Sequence, residues 1–168
     1  MRRAIELALE NVRSGRGGPF AALVVRGNEI LGEGTNQVTS ANDPSAHAEM
    51  LAVRSACRKL QHFQLTGCEI YASCEPCPMC LGLIYWARLD TLYYANTAQD
   101  AAAIVFDDAR IYRELQLPSA ARSIPMVQML RDEALAVFRA WQQKPARIDY
   151  EGRKGWLIQA VTASLALG

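Results

Sequence analysis

The stretch that most constrains this chain runs from Cys68 to Arg88, CEIYASCEPCPMCLGLIYWAR. Its first part reads as a buried strand. Pro78 then favours the first turn of a new helix through LGLIYWAR. Three of the five cysteines, Cys74, Cys77 and Cys80, fall at that junction. Cys77 and Cys80 stand three apart at a helix start, so both sulfurs share a face and can reach one ion. The positive end of the helix favours thiolates, the form that binds metal. A disulfide is the weaker reading, because cytosolic thiols stay reduced and the cysteine count is odd. A four-cysteine knuckle would have to recruit Cys57, Cys68 or Cys74 at irregular spacing, and no second CxxC exists.

Around this junction, strand and helix patterns alternate. MRRAIELALENV places Ile5, Ala8, Leu9 and Val12 on one helical face, while Glu6 and Glu10 break any signal-peptide apolar run. AALVVRGNEILGEGTNQV reads as two strands joined at Gly27-Asn28, and NDPS interrupts the chain before a helix from His47 to about Leu60. LDTLYYA is a further strand, Thr97 caps a helix through DAAAIV, IPMVQML is expected as a fifth strand, and RDEALAVFRAW as a final helix. This alternation predicts a layered α/β fold with helices on both faces of a mixed sheet. The 168 residues suit one domain with a full core. A net charge of +1 gives no field that would argue for nucleic acid or an anionic membrane. The apolar tail WLIQAVTASLALG is shorter than the roughly 20 residues a bilayer requires, so a cytoplasmic protein is expected.

Two thiolates do not complete a tetrahedral zinc site. The chain has two histidines. His62 follows a helix end beside Lys59 and reads as a surface residue. His47 opens a helix in HAE, as the cysteines open theirs, and Glu49 follows two residues later. His-x-Glu followed by Pro-Cys-x-x-Cys is the signature of zinc deaminases. One imidazole and two thiolates leave a fourth zinc position for water, whose pKa zinc lowers toward neutrality. A carboxylate beside that water, not itself a ligand, can move protons to a ring nitrogen and to a departing amine; Glu49 is expected in that role. Cys74, at a strand end, either lines the pocket or is simply buried. Glu75 is expected to help close the site through backbone contacts.

The chain resembles the cytidine-deaminase-like superfamily and, within it, bacterial guanine deaminases. The stretches GGPFAALVV, EGTNQVTSANDPSAHAEMLAVR, YASCEPCPMCLGLIYWAR and FDDARIY carry the resemblance, with IDY at Ile148 to Tyr150. It implies a three-layer α/β/α sandwich around a five-stranded mixed sheet. It also implies a homodimer whose C-terminal segments exchange and close the partner's site. Carried over by position, His47, Cys77 and Cys80 bind one zinc per subunit and Glu49 shuttles protons. Asn36 and Asp108 hydrogen-bond the purine and Tyr150 reaches in from the other chain. Phe20 and Trp86 form apolar walls, and Ala48 is a further substrate contact. Read without the resemblance, Asn36 shapes a turn, Asp107 and Asp108 cap a short helix, and Tyr150 is a surface aromatic. Residues 1–150 form the deaminase domain on this reading. Residues 151–168 extend beyond the resemblance as a segment of unknown role.

The expected reaction is hydrolysis of free guanine to xanthine and ammonia, with a closed pocket that excludes guanosine. A tRNA-specific adenosine deaminase shares the zinc motif, yet should carry a basic surface for the phosphate backbone; the longest basic runs here are Arg2-Arg3 and Arg153-Lys154. Cytosine or an aminotriazine such as ammeline is an alternative free base. A binding protein on a dead deaminase scaffold would show a damaged ligand triad or a lost glutamate, and both are intact.

Overall fold

The computed structural model describes residues 1–148 and residue 150. Contacts divide the chain into two units, Met1–Ser123 and one that starts at Ile124. The first contains α1 (Arg2–Arg13), β1 (Ala21–Arg26), β2 (Glu29–Thr35), α2 (Val38–Ala41), α3 (Ala48–Leu60), β3 (Glu69–Cys74), α4 (Pro78–Trp86), β4 (Thr91–Asn96), α5 (Ala98–Ala103), α6 (Ala109–Gln116) and a short 3-10 turn (Ser119–Ala121). The second contains α7 (Arg131–Gln143).

The sheet order is β2-β1-β3-β4. β1 pairs antiparallel with β2 and with β3, and β3 pairs parallel with β4. The β1–β2 hairpin turns at Gly27, whose φ of +59° suits a residue without Cβ. Alternate residues of β1 serve opposite layers. Ala22 and Val24 pack with Ala48, Ala52 and Val53 of α3, while Ala21 and Leu23 pack with Ala4, Leu7 and Ala8 of α1. Helices thus cover both faces. Among the described residues no helix is long and apolar enough to cross a membrane.

The contact between β2 and α3 determines where the site sits. A Cβ on Gly34 would collide with the Ala48 carbonyl oxygen and stand 2.6 Å from Ala52 N. One on Gly32 would collide with the Ala52 carbonyl oxygen. LGEGT therefore lies directly on the AEMLAVRSA backbone, and the alanines at 48, 52 and 56, one per turn, are all fully buried.

Two expectations change. The first helix forms, but it buries Ala4, Leu7, Ala8 and Asn11, and leaves Ile5, Leu9 and Val12 about half exposed. Small residues let α1 lie close on Ala21 and Leu23, which the bulkier stripe would not permit. The second change is the fifth strand. The sheet has four strands among the described residues, and residues 124–130 are irregular and exposed. Alternating apolar residues give the capacity for a strand, but a strand exists only where a neighbour completes its hydrogen bonds. Pro125 has no N–H to offer, and Leu130 at φ +52° ends any extended run. The expected extension at 151–168, with its anchors Trp156, Leu157, Val161 and Leu165, lies outside the described residues.

Candidate active site

Two helices begin at the same place in space. His47 caps α3 with φ −71° and ψ 153°, and Cys77 caps α4 with φ −65° and ψ 167°. Both are extended residues immediately before a helical turn, so both side chains project from helix N-termini. The turn before His47 is set by Asp43, whose Oδ1 accepts from Ser45 N (2.8 Å) and from Ser45 Oγ (2.7 Å). Those bonds hold the Asp43 carboxyl below its usual range. Pro78 begins α4 without needing an N–H. His47 Nδ1 lies 3.5 Å from both Cys77 Sγ and Cys80 Sγ, and the ligand atoms of the three residues all fall within 4.8 Å of one another.

The donor set suits zinc in kind and number, leaving one tetrahedral position open. Its electrostatics fit as well. The Cys80 thiol beside Cys77, with the His47 ring, pulls Cys77 down to about 4. Cys80 moves upward because it donates to that thiolate and is buried. Two adjacent thiolates repel, so the second proton leaves readily only when a dication sits between the sulfurs.

Glu49 lies in the first turn of α3, 8 % exposed, with its Oε2 3.4 Å from Cys80 Sγ. Burial pushes its carboxyl above the usual range. Cys74 is buried at the end of β3, donates to Thr97 O at 3.5 Å, and is pushed to about 11 by burial. It both lines the cavity and packs. Glu75 Oε2 accepts from Ala98 N at 3.0 Å, closing the gap between β3 and α5 through backbone as expected.

A cavity of about 490 Å³ opens in front of this cluster, at the C-terminal ends of the parallel pair β3 and β4. His47, Glu49, Cys74 and Cys77 line one side. Asn36, Phe20, Phe106 and Asp108 are also on its walls. Cys80 is fully buried. Asn36 does shape a turn, since its Oδ1 accepts from Gly18 N and Val38 N at 3.3 Å each, and it lines the cavity as well. The two aspartates divide their work. Asp107 Oδ1 accepts from Ala109 N at 2.9 Å at the start of α6, whereas Asp108 makes no capping bond. Burial, with the Cys77 charge second, raises the Asp108 carboxyl.

Ala48 and Trp86 do not line this cavity. Ala48 is fully buried under Gly34. Trp86 is 65 % exposed and ends α4, about 13 Å along the helix axis from Cys77. Tyr150 belongs to the second unit and is 64 % exposed in the single chain. His62 is exposed, with Nδ1 bonded within its own turn to Gln64.

Phe106 was not foreseen. Its ring meets Phe20 edge-on, centroids 4.9 Å apart at 89°. Val105, at φ +73°, turns the chain ahead of it. Gly18 leaves room for the pair, since a Cβ there would stand 3.3 Å from Phe106 Cζ.

Residues 1–96 match the cytidine and deoxycytidylate deaminase zinc-binding region. The chain belongs to this family of zinc-dependent hydrolytic deaminases, and the α/β fold is of that type. It is 48 % identical to the guanine deaminase of Bacillus subtilis, over 89 % of this chain and 96 % of that protein. The X-ray structure of the Bacillus subtilis guanine deaminase superposes with a TM-score of 0.87 over the same shares. A guanine deaminase structure from Nitrosomonas europaea matches at 33 % identity and TM-score 0.61, over 82 % of this chain and 80 % of that one. The tRNA-specific adenosine deaminase of Aquifex aeolicus is 40 % identical, over 52 % of this chain and 58 % of that protein.

Proposed function

We propose that this protein hydrolyses free guanine to xanthine and ammonia, with His47, Cys77 and Cys80 holding one zinc ion. The observation that carries the reading is a single cavity bearing a His-Cys-Cys cluster, a buried glutamate against it and a polar wall of Asn36 and Asp108. Likeness to guanine deaminases over nearly nine-tenths of the chain supports the choice of base. When bound, zinc supplies an acidified water, so that hydroxide is at hand near neutral pH.

The remaining work falls to the protein. Hydrolysis adds oxygen at C2 of guanine and breaks the bond from C2 to the amino nitrogen. Glu49, whose carboxyl burial raises, takes a proton from the attacking water and gives it to ring N3. It then takes the second proton of that water, from the oxygen now on C2, and passes it to the departing amine, so that one water is consumed per guanine. Asp108 accepts from purine N–H groups, and a site built on such polar pairing can reject a base lacking them by roughly 10⁴-fold. The Phe20–Phe106 pair packs the ring.

The working unit is a homodimer in which C-terminal segments exchange and Tyr150 closes the partner's site. By itself the second unit has no buried residue among those described, and Ile124, Val127, Met129, Val137 and Phe138 are all more than half exposed. Such a surface calls for a partner. We place the protein in the cytoplasm, where ligand thiols stay reduced.

Ammonia release from zinc-loaded protein across guanine, adenine, cytosine, ammeline, guanosine and tRNA tests this. Guanine should be turned over and guanosine refused. Comparable rates on guanosine refute the closed pocket, and preferred action on tRNA with steep salt dependence moves the protein to the adenosine-deaminase reading.

A further inference from the structure

Asn11 occupies a position that helix physics disfavours. It sits on the buried face of α1 beside Leu7 and Ala8, fully inaccessible. Asparagine is a weak helix former, and an interior amide costs free energy unless its groups are bonded. Only half of this one is. Nδ2 donates to Gly18 O and to Asn36 O, both at 2.9 Å, while Oδ1 has no hydrogen-bond partner among the described residues. A polar group kept for stability alone would be satisfied at both ends. What this side chain contributes is its pair of N–H donors.

Those donors hold the two backbone segments that fix the Asn36 side chain. Gly18 N–H and Val38 N–H both bond Asn36 Oδ1. With the oxygen engaged twice, Nδ2 is the group left to meet a ligand in the cavity. Gly17 lets the segments approach, since a Cβ there would collide with the Asn36 carbonyl oxygen.

We propose that Asn11 is a positioning residue for the reaction. From outside the cavity it pins Gly18 and Asn36 so that Asn36 presents the purine with a donor and never an acceptor. The inference rests on guanine being the substrate, as proposed above.

The test is steady-state kinetics of Asn11→Leu, which keeps the branched shape and deletes both donors. KM for guanine should rise roughly tenfold while kcat stays within about twofold and zinc content is unchanged. In an Asn36→Ala background the same substitution should leave KM within about twofold, because Asn11 acts through Asn36. An unchanged KM in Asn11→Leu overturns the proposal, as does an equal rise in both backgrounds. If Asn11→Leu does not fold, Asn11→Ala is read in the same way. A measurement on the unaltered protein stands apart from all variants and from the substrate. The Gly18 and Val38 amides should resist hydrogen exchange by at least about a hundredfold, and free exchange at either overturns the proposal. Zinc-loaded wild type inert toward guanine would sink the substrate assignment alone; whether Asn11→Leu strips the Gly18 and Val38 amides of that protection would still decide whether Asn11 positions Asn36, and unchanged protection overturns it.

Discussion

The two sides of the cavity are built by different means. The metal side stands on two helix starts, backed by a fully buried cysteine and a nearly buried glutamate. The other wall is mixed: Asn36 follows β2 and Phe106 lies between α5 and α6 as loop residues reaching Gly18 and Phe20 far off in sequence, while Asp108 is the N-cap residue of α6. The metal side takes its positions from regular secondary structure. On the other wall, Asn36 takes its position from bonds to loop backbone and Phe106 from a ring contact. On the proposed function, chemistry thus stands on helix starts and choice of substrate largely on loop residues.

Substitutions should reproduce that division. Glu49→Gln is expected to cut guanine turnover by about 10³-fold or more while zinc content by metal analysis stays at one per chain. Zinc retained with activity intact would dissolve the distinction. Cys77→Ser should lose zinc and all activity, and lower the melting temperature, as should a strong chelator on the wild type. On the opposite side, Asp108→Ala should raise KM for guanine by roughly a hundredfold with kcat falling less, because the half-buried acceptor proposed for purine N–H groups is lost. Phe106→Ala should cost about tenfold in KM, through loss of an edge-to-face contact of about 1 kcal/mol and of ring packing. Val105→Gly should have the smallest effect: a gain of about 1 kcal/mol in urea unfolding as a β-branched residue leaves φ +73°, with KM nearly unchanged. A large KM change there would mean that Val105 holds the recognition loop by strain.

The same division governs what could be read from the sequence. His47, Glu49, Cys77 and Cys80 were legible because a ligand set on helix starts is a short-range pattern: one imidazole, one carboxylate two residues on, two thiols three apart. The hairpin, α3, β3 and α4 followed from local periodicity and from Gly27 and Pro78. Asn36 and Asp108 stood out only through resemblance, since an asparagine before a turn and a pair of aspartates before a helix are common. Phe106 and Asn11 were missed because each acts through residues far away in sequence, Phe20 and Asn36. Asn11 did leave a trace: it completes the i, i+3, i+4, i+7 pattern of Ala4, Leu7 and Ala8, and a polar residue in such a stripe signals a specific job. The α1 stripe was turned: Ala4, Leu7, Ala8 and Asn11, not Ile5, Leu9 and Val12, are the residues it buries. Residues 124–130 have the composition of a strand, but pairing is decided by a partner that local pattern does not name.

The seat of Gly32 and Gly34 against the main chain of Ala48 and Ala52 has a consequence for how such a protein ages through mutation. Backbone meets backbone there, with only the Cβ atoms of Leu51 and Ser55 alongside. The spacing is set by peptide geometry, and a side chain at either glycine would force it wider. Side chains elsewhere in the interior can change in volume and shape while the reactive groups keep their places, whereas any larger residue at Gly32 or Gly34, as at Gly17, would force backbone apart.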